Sequence, residues 1–423
     1  MGNSNPAEAA APAAPKSSGF ISKLTRALFI AAGITLWYAT SERRKYSVPA
    51  VSKHCDHLSP ITSAEFQTRQ NSLARALNQL NASAYIAEPG ASSLYYGNIS
   101  TSNWGLSERP LLLVITPQQN GEEIGAKVSV LTPTFEASRA KMLPIVSNDV
   151  TFIEWAEEAN PYEHALTILS GTPGSVYVDG ATRNFIVDGL RDAHPQADVS
   201  SAPYEIRRLR ERKSPAEIEL LKCANEATVL SIRAVHEKMH VGIRESTASA
   251  MMRATLASAG LRDGGCLTLF GENAALPHGS GTDRTLGETR FRLTVALAES
   301  EIPEEHLQIW HDVRAAQNAA IDIAYAGVIA AEVDKAARSS LDNSKYFTHR
   351  LGHGIGLEVH EAPYLNGGSK SVLETGHAFS DEPGIYIEGK VGVRLEDCFY
   401  INETGPIFLT AGIGGQAKSP WSP

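Results

Sequence analysis

The stretch HRLGHGIGLEVHE, at residues 349–361, carries three histidines at spacings of four and seven residues: His349, His353 and His360. Three glycines lie among them. Each glycine in a helix interior costs about 1 kcal/mol relative to alanine, which argues against a helix here. The pattern predicts a strand or loop in which glycine lets the backbone approach a ligand closely. Histidine together with carboxylates is typical of divalent-metal sites, so the acidic residues that follow decide what this stretch does.

Two glutamates near the C-terminus are spaced to face each other across a hairpin. Glu382 and Glu396 each lie seven residues from Gly389, which falls in the turn between strands predicted at residues 378–388 and 391–401. Like charges directly opposite each other destabilise a strand pair. A divalent cation between the carboxylates reverses that sign, and His353 supplies a neutral nitrogen ligand. The alternative is an exposed hairpin with solvated glutamates, which their apolar neighbours disfavour.

Three motifs occur in a specific order: GHGIGLEVHE at residues 352–361, EPGIYI at 382–387 and GVRLED at 392–397. They resemble the motifs of the Xaa-Pro aminopeptidase and prolidase family of metallopeptidases, and the resemblance extends over residues 60–415. It implies an α/β N-terminal domain over residues 60–205. It further implies an α+β catalytic domain with the pita-bread fold over residues 206–415.

The resemblance also implies a site and a reaction. It assigns seven residues: as metal ligands His353, Glu382 and Glu396, and as catalytic or supporting residues His278, His349, His360 and Arg394. The family uses two bridged divalent ions, commonly manganese, to activate a water molecule that attacks the carbonyl before proline. The expected substrate is a proline-containing peptide, and the expected assembly is a homodimer.

One region departs from the family pattern. The family places two further aspartate ligands on a strand pair between the segment of His278 and the helix predicted to begin at Pro303. Here no aspartate occurs between Asp283 and Asp312, and a core segment is missing near residues 291–292. Three remaining ligands suit one ion or none. Two hypotheses follow: a peptidase whose gap reflects a gene-model error or splice form, or a pseudoenzyme that binds proline-containing peptides or a protein partner.

Composition narrows the classes of partner. The 423 residues carry a net charge of −9, which argues against nucleic acid as the main partner because phosphate binding requires a basic surface. The four cysteines, Cys55, Cys223, Cys266 and Cys398, form no Cys-x-x-Cys pair. Their spacing predicts isolated buried thiols rather than disulfides or a cysteine zinc site.

The body of the chain alternates helical and strand patterns before a second helix-rich region begins. A helix is predicted over residues 63–80, and short apolar runs at 83–86, 110–115, 127–131 and 175–178 predict strands. Residues 207–213, RRLRERK, form a charge run that is interpreted as a solvated domain boundary. Ser214, Pro215 and Glu217 then predict a helix start with a capping box.

The N-terminal segment has a composition of its own. Residues 1–19 are rich in Ala, Pro and Ser, which predicts disorder. Residues 20–45 contain a run of 14 uncharged residues at 27–40 with basic residues on both sides. As a helix this run rises about 21 Å, against a hydrocarbon core of roughly 30 Å. It predicts a single-pass membrane anchor, with a signal peptide or a buried helix as the alternatives.

Three Asn-x-Ser/Thr sequons begin at Asn81, Asn98 and Asn402. Such sequons are acceptors for N-linked glycans in secreted proteins. They permit a body that is luminal or extracellular behind the membrane anchor. A secreted or a cytoplasmic body is the alternative.

Overall fold

The computed structural model of the protein describes residues 51, 54–147, 149–169, 174–262, 264–287 and 302–423. The disorder predicted at residues 1–19, the anchor at 20–45 and the junction at 291–292 lie outside these residues. Within the described ranges, no helix combines the length and apolar character needed to cross a bilayer. Residues 50–423 form one compact unit, so the division into two domains at residue 205 stays a prediction.

The N-terminal half is built on a six-stranded mixed sheet with the order β4-β3-β2-β1-β5-β6. Its strands are β1 (Ala82–Ala87), β2 (Leu112–Asn120), β3 (Glu123–Pro133), β4 (Val150–Trp155), β5 (Ser175–Val178) and β6 (Asp198–Ser201). Its helices are α1 (Ser63–Gln79), α2 (Ala91–Gly97), α3 (Ala137–Ala140), α4 (Pro161–Ala165) and α5 (Asn184–Ala193). β1 pairs in parallel with β5 and antiparallel with β2, so the sheet confirms the predicted α/β class.

Helix α1 follows directly from its sequence pattern. Thr62 caps its N-terminus by accepting a hydrogen bond from the amide of Glu65, and Leu73 and Leu77 are fully buried one turn apart. These leucines pack with residues from β1, β2 and β3 on one face of the sheet. A second cluster on the other face contains Ile186 and Leu190 of α5. The sheet is therefore covered on both faces, as its parallel pairs require.

The charge run at residues 207–213 is only partly solvated, which corrects part of the sequence-based interpretation. Most of it belongs to helix α6 (Tyr204–Glu211), in which the predicted boundary at residue 205 falls. Arg207 and Arg212 are exposed, but Glu211 and Lys213 are only 7% and 8% exposed. Arg210 and Lys213 lie against the segment that follows His353, whose acidic residues pair with them.

In the C-terminal half, the described residues form four helices and seven strands. The helices are α7 (Pro215–His236), α8 (Glu245–Ser258), α9 (Glu304–Ile321) and α10 (Ala330–Ser339). The strands are β7 (Gly352–Gly354), β8 (Glu361–Leu365), β9 (Ala378–Asp381), β10 (Gly384–Ile387), β11 (Val391–Arg394), β12 (Asp397–Ile401) and β13 (Pro406–Phe408). Five form an antiparallel sheet in the order β13-β12-β9-β7-β8, and β10 pairs with β11 alone. The predicted capping box at Ser214 and Glu217 is confirmed.

The hairpin register confirms the predicted symmetry about Gly389. Gly384 pairs with Arg394 in the β10–β11 ladder, and Asp381 pairs with Asp397 in the β9–β12 ladder. The paired residues in both ladders are equidistant from Gly389, and a short unpaired segment separates the two ladders. Glu382 and Glu396 fall in that segment at opposing positions, so the backbone sets the two carboxylates against each other.

A disulfide joins Cys55 to Cys223, so the prediction of isolated thiols is wrong for this pair. Their Cα atoms are 5.8 Å apart, within the ordinary range for a disulfide, although 168 residues separate them in sequence. Linear spacing carries no signal for a pair that only folding brings together. Cys266 and Cys398 are free thiols, as predicted.

Candidate active site

His353 and Glu382 form the centre of the site. His353 lies on β7, where its Nε2 is 3.1 Å from Oε1 of Glu382 and its Nδ1 is 3.0 Å from the carbonyl oxygen of Gly354. His353 and Glu382 are only 3% and 9% exposed. Ser380 on the neighbouring strand accepts from the amide of His353 and donates to Oε1 of Glu382 at 3.2 Å. The pair is therefore fixed by a strand on each side.

Glycine at position 352 is what permits this close approach of strands. A Cβ atom there would lie 1.9 Å from the carbonyl oxygen of Ser380, a separation no side chain tolerates. Gly352, in the stretch at residues 349–361, thus allows β7 to pack closely against β9. It thereby brings His353 against Glu382.

Arg394, Tyr386 and His349 form a second group beside the first. Nε of Arg394 donates to the hydroxyl of Tyr386 at 2.7 Å, and that hydroxyl lies 3.1 Å from Nε2 of His349. Nη1 of Arg394 is 3.9 Å from Oε2 of Glu382, so its charge reaches the carboxylate. Sequence reasoning assigned Arg394 and His349 to the site but missed Tyr386, which links them.

The pKa of Glu382 reflects these partners. Burial opposes its ionisation, but the hydrogen bond with His353 and the charge of Arg394 outweigh burial and lower the pKa of this carboxyl. Burial also lowers the pKa of His349, which keeps that imidazole neutral at physiological pH. The site therefore holds a carboxylate between neutral and positive neighbours.

Glu396 lies in a different environment. It makes no side-chain hydrogen bond within the described residues and keeps a solvent-exposed surface. Dense surrounding protein and the nearby charge of Glu382 nevertheless raise the pKa of its carboxyl. An acidic pair with one member unpartnered is an arrangement that a cation stabilises.

His360 and His278 lie on the exposed side of the site. The ring centre of His360 is 4.3 Å from that of His353. Burial and the charge of His353 lower the pKa of His360, and His278 is close enough to contribute a smaller effect in the same direction. His278 follows a short 3-10 turn (Gly271–Ala275) and is exposed. The structure thus places the predicted histidines in one region, with two of them open to solvent.

The donor set suits a single divalent ion better than a bridged pair. One imidazole nitrogen and two carboxylates are ordinary ligands for such an ion. Yet among residues 54–147, 149–169, 174–262, 264–287 and 302–423, no three His, Cys, Asp or Glu side chains stand close enough to form a metal cluster. His353 and Glu382 are in contact, and Glu396 is the nearby third donor. A bridged pair needs more donors than these.

Lys213 and Glu361 form a buried ion pair that sequence reasoning missed. Nζ of Lys213 pairs with Oε1 of Glu361 and donates to the backbone carbonyl of Arg210 at 2.8 Å. Arg210 pairs with Glu358 and lies 3.7 Å from Oε2 of Glu361. A Cβ at Gly356 would collide with Glu361, so this glycine makes room for the pair. These contacts join α6 to the loop between His353 and His360.

Asp381 and Asp397 lie directly behind the two glutamates. Asp381 is fully buried, and neither of its carboxylate oxygens has a hydrogen-bond partner in the described part of the chain. Burial, followed by the charge of Asp397, raises its pKa well above the usual range. Nε2 of Gln317 donates to the Asp381 carbonyl at 3.1 Å and to the Asp397 carboxylate at 3.0 Å. Gln317 therefore joins α9 to both strands of the site.

Comparisons with known proteins find relatives that cover most of the chain. Residues 219–403 match the family model described as Metallopeptidase family M24. An uncharacterized peptidase of Schizosaccharomyces pombe is 36% identical over 388 residues, covering 86% of this chain and 84% of the relative. A Xaa-Pro dipeptidase of Lactobacillus delbrueckii is 33% identical over 250 residues, covering 52% of this chain and 67% of the relative.

A solved structure extends the likeness to three dimensions. The crystal structure of dipeptidase PepE from Mycobacterium ulcerans has a TM-score of 0.73 with 27% identity. The match covers 83% of this chain and 97% of that chain. The pita-bread fold class expected from the three motifs is confirmed by these comparisons.

Proposed function

Because the chain belongs to metallopeptidase family M24, we propose that it hydrolyses the peptide bond before proline in Xaa-Pro dipeptides. The observation that carries this proposal is the contact of His353 with Glu382, with Arg394 3.9 Å behind the carboxylate. This places an imidazole nitrogen and a carboxylate side by side in a largely buried site. Relatives named Xaa-Pro dipeptidases support the choice of substrate.

His353, Glu382 and Glu396 are the residues proposed to hold a divalent ion, with manganese as the proposed metal. Such an ion supplies an acidified water and polarises the scissile carbonyl. The protein residues around it have separate tasks. His360 and His278 lie on the solvent side, where they are placed to orient the substrate and exchange protons with it. Arg394 keeps Glu382 ionised, and Tyr386 orients His349.

A second candidate function is peptide binding without hydrolysis. Two observations favour it: the described residues contain no three-donor cluster, and the sequence has no aspartate between Asp283 and Asp312. The histidines and Arg394 would then still bind a peptide, but water would not be activated. This candidate retains the fold and the cleft and differs only in turnover.

One experiment separates the two candidates. The purified chain is incubated with Mn²⁺ and a Xaa-Pro dipeptide such as Ala-Pro, and proline release and dipeptide binding are measured in parallel. Manganese-dependent release that is lost in Glu382→Gln supports hydrolysis. Saturable binding without release supports the non-catalytic candidate. Absence of both release and binding overturns both.

We also propose that residues 20–45 form a membrane anchor and that the protein forms a homodimer. Membrane flotation of the full chain, compared with a chain that begins at residue 46, tests the anchor. Sedimentation of the purified protein tests the dimer. A full chain that stays soluble, or a monomer at micromolar concentration, contradicts the respective proposal.

A further inference from the structure

The disulfide occupies a position where it crosslinks distant parts of the chain. Cys55 lies ahead of α1, and Cys223 lies on α7 with only 3% exposure. His54 beside it contacts Glu226, one turn further along the same helix, at 2.7 Å. The bond thus joins the residues that follow the N-terminal segment to the first helix of the C-terminal half. Structural disulfides of this kind form and persist in oxidising compartments.

The three sequons differ in whether the amide nitrogen that would carry a glycan is free. Asn81 is exposed in the turn between α1 and β1, and its side chain makes no hydrogen bond within the described residues. Nδ2 of Asn98 instead donates one of its two hydrogens to the carbonyl of Pro144 at 2.9 Å, which holds this side chain against the fold.

Asn402 lies in the turn between β12 and β13. Its Oδ1 accepts from the amide and the hydroxyl of Thr404, both at 2.8 Å, and from the amide of Gly405 at 2.9 Å. These bonds engage only the oxygen of the amide and leave Nδ2 without a partner among the described residues. Among the described residues, the amide nitrogens of Asn81 and Asn402 thus have no partner, whereas that of Asn98 is engaged.

We propose that this protein folds in an oxidising, glycosylating compartment, where Cys55 and Cys223 are joined and Asn81 and Asn402 carry N-linked glycans. The inference does not rest on the proposed peptidase activity. It rests on two independent features, a disulfide between distant residues and two sequons whose acceptor nitrogens are free. Neither feature touches the metal-binding residues.

Both covalent steps balance with ordinary donors of such a compartment. In the first, the two thiols lose two protons and two electrons to the disulfide of an oxidoreductase, which is reduced to a dithiol. In the second, Nδ2 of asparagine bonds to the anomeric carbon of an oligosaccharide carried on a lipid diphosphate. The bond from that carbon to the diphosphate oxygen breaks, the amide loses one proton, and the lipid diphosphate leaves.

The test uses the full chain with its own N-terminus, expressed in a eukaryotic cell and purified without reductant. Glycans are removed by an amidase in heavy-oxygen water, which converts each glycosylated asparagine to a labelled aspartate for mass spectrometry. Label is expected at Asn81 and Asn402, with Asn98 as the unlabelled internal control. Absence of label at either expected site, or label at Asn98, overturns the proposal.

The same sample tests the disulfide by counting thiols. In denaturant without reductant, two thiols are expected to react with an alkylating reagent, those of Cys266 and Cys398, rising to four after reduction. Four reactive thiols before reduction overturn the proposal. A Cys55→Ser/Cys223→Ser double variant controls the assignment, because it should show two thiols under both conditions.

Discussion

Glu382 and Glu396 occupy mirror positions in one hairpin, yet their surroundings differ. Glu382 lies within 3.1 Å of His353, accepts from Ser380 and has Arg394 nearby, and these partners lower its pKa. The side chain of Glu396 makes no hydrogen bond within the described residues, and the dense protein around it, together with the charge of Glu382, raises its pKa. The difference shows that a symmetric register does not make a symmetric site.

The asymmetry has a structural cause on each side. On the side of Glu382, β7 brings a histidine, and the loop after β7 is held by the ion pair between Lys213 and Glu361. On the side of Glu396, the sequence lacks the two aspartates that the family resemblance implies. One half of the site is thus fixed by partners, whereas the carboxylate of the other half has no hydrogen-bond partner among the described residues.

The largest effect is expected when the support of the fixed half is removed. Replacing Lys213 with methionine removes the direct partner of the buried Glu361 and leaves only Arg210, 3.7 Å from its Oε2, as a cationic neighbour. Loss of one partner from such a pair costs about 3–5 kcal/mol. Urea unfolding should therefore show a decrease of that size in the free energy of unfolding.

Lys222→Met is the matched control for this variant. Lys222 pairs with Glu219 at 2.7 Å, but Glu219 is 55% exposed. Exposed pairs contribute about 1 kcal/mol or less. Equal destabilisation by the two variants would show that the buried pair of Lys213 and Glu361 contributes no more stability than an exposed pair.

The next effect concerns metal affinity. Glu382→Gln removes an anionic donor from the fixed half and should weaken Mn²⁺ binding at least 100-fold (about 2.7 kcal/mol), measured by calorimetry. Glu388→Gln, an exposed glutamate after β10, is the control and should leave affinity unchanged. Glu396→Gln should weaken binding less than Glu382→Gln. The reverse order would contradict the comparison of the two carboxylates.

A third prediction concerns how the free energy of unfolding depends on pH. It involves His377, the residue that precedes β9. Burial, followed by the charges of Lys213, Arg212 and Arg208, lowers the pKa of His377 from 6.5 to about 4. A histidine with a depressed pKa resists protonation in the folded state but not in the unfolded state. Its contribution to folding stability is therefore fully present above pH 6.5 and is lost as pH falls toward 4. Between pH 7 and pH 5 this amounts to about 2 kcal/mol.

The pH prediction is checked by urea unfolding of the wild type and His377→Gln at several pH values. The variant should lose about 2 kcal/mol less than the wild type over that interval. His240→Gln, at an exposed histidine, should retain the wild-type slope. Parallel slopes for the wild type and His377→Gln would contradict the assignment.

The smallest effect is expected at Tyr386. Tyr386→Phe removes the hydroxyl that joins Arg394 to His349 and should destabilise the protein by about 1 kcal/mol. The two-dimensional NMR signals of the His349 ring should shift, because its hydrogen-bond partner is gone. Tyr364→Phe, on β8, is a control whose effect on those signals should be negligible. An unchanged His349 spectrum would remove Tyr386 from the site.

Much of this fold follows from local sequence patterns. The capping box at Ser214, the apolar face of α1 and the hairpin about Gly389 were all expected and are confirmed. Each depends on interactions between residues that are close in sequence, where periodicity and turn chemistry are informative. The same patterns predict that Glu382 lies opposite Glu396.

The features that sequence missed depend on contacts between distant segments. The run at residues 207–213 has the composition of a solvated linker, and only its packing against the loop of Glu361 buries Lys213. The bond between Cys55 and Cys223 likewise has no local signal. Tyr386 was missed because an aromatic residue in a strand is typically part of the core. Its role depends on the hydrogen-bond partners of its hydroxyl, which only the fold determines.

The stoichiometry of Mn²⁺ tests the central claim most directly, namely that the chain retains half of a two-metal centre. The metal-free protein is dialysed against micromolar Mn²⁺, and bound metal per chain is measured by mass spectrometry, with Glu382→Gln in parallel. The account predicts one bound ion per chain and its loss in the variant. Two ions per chain, or one ion that persists in Glu382→Gln, would contradict it.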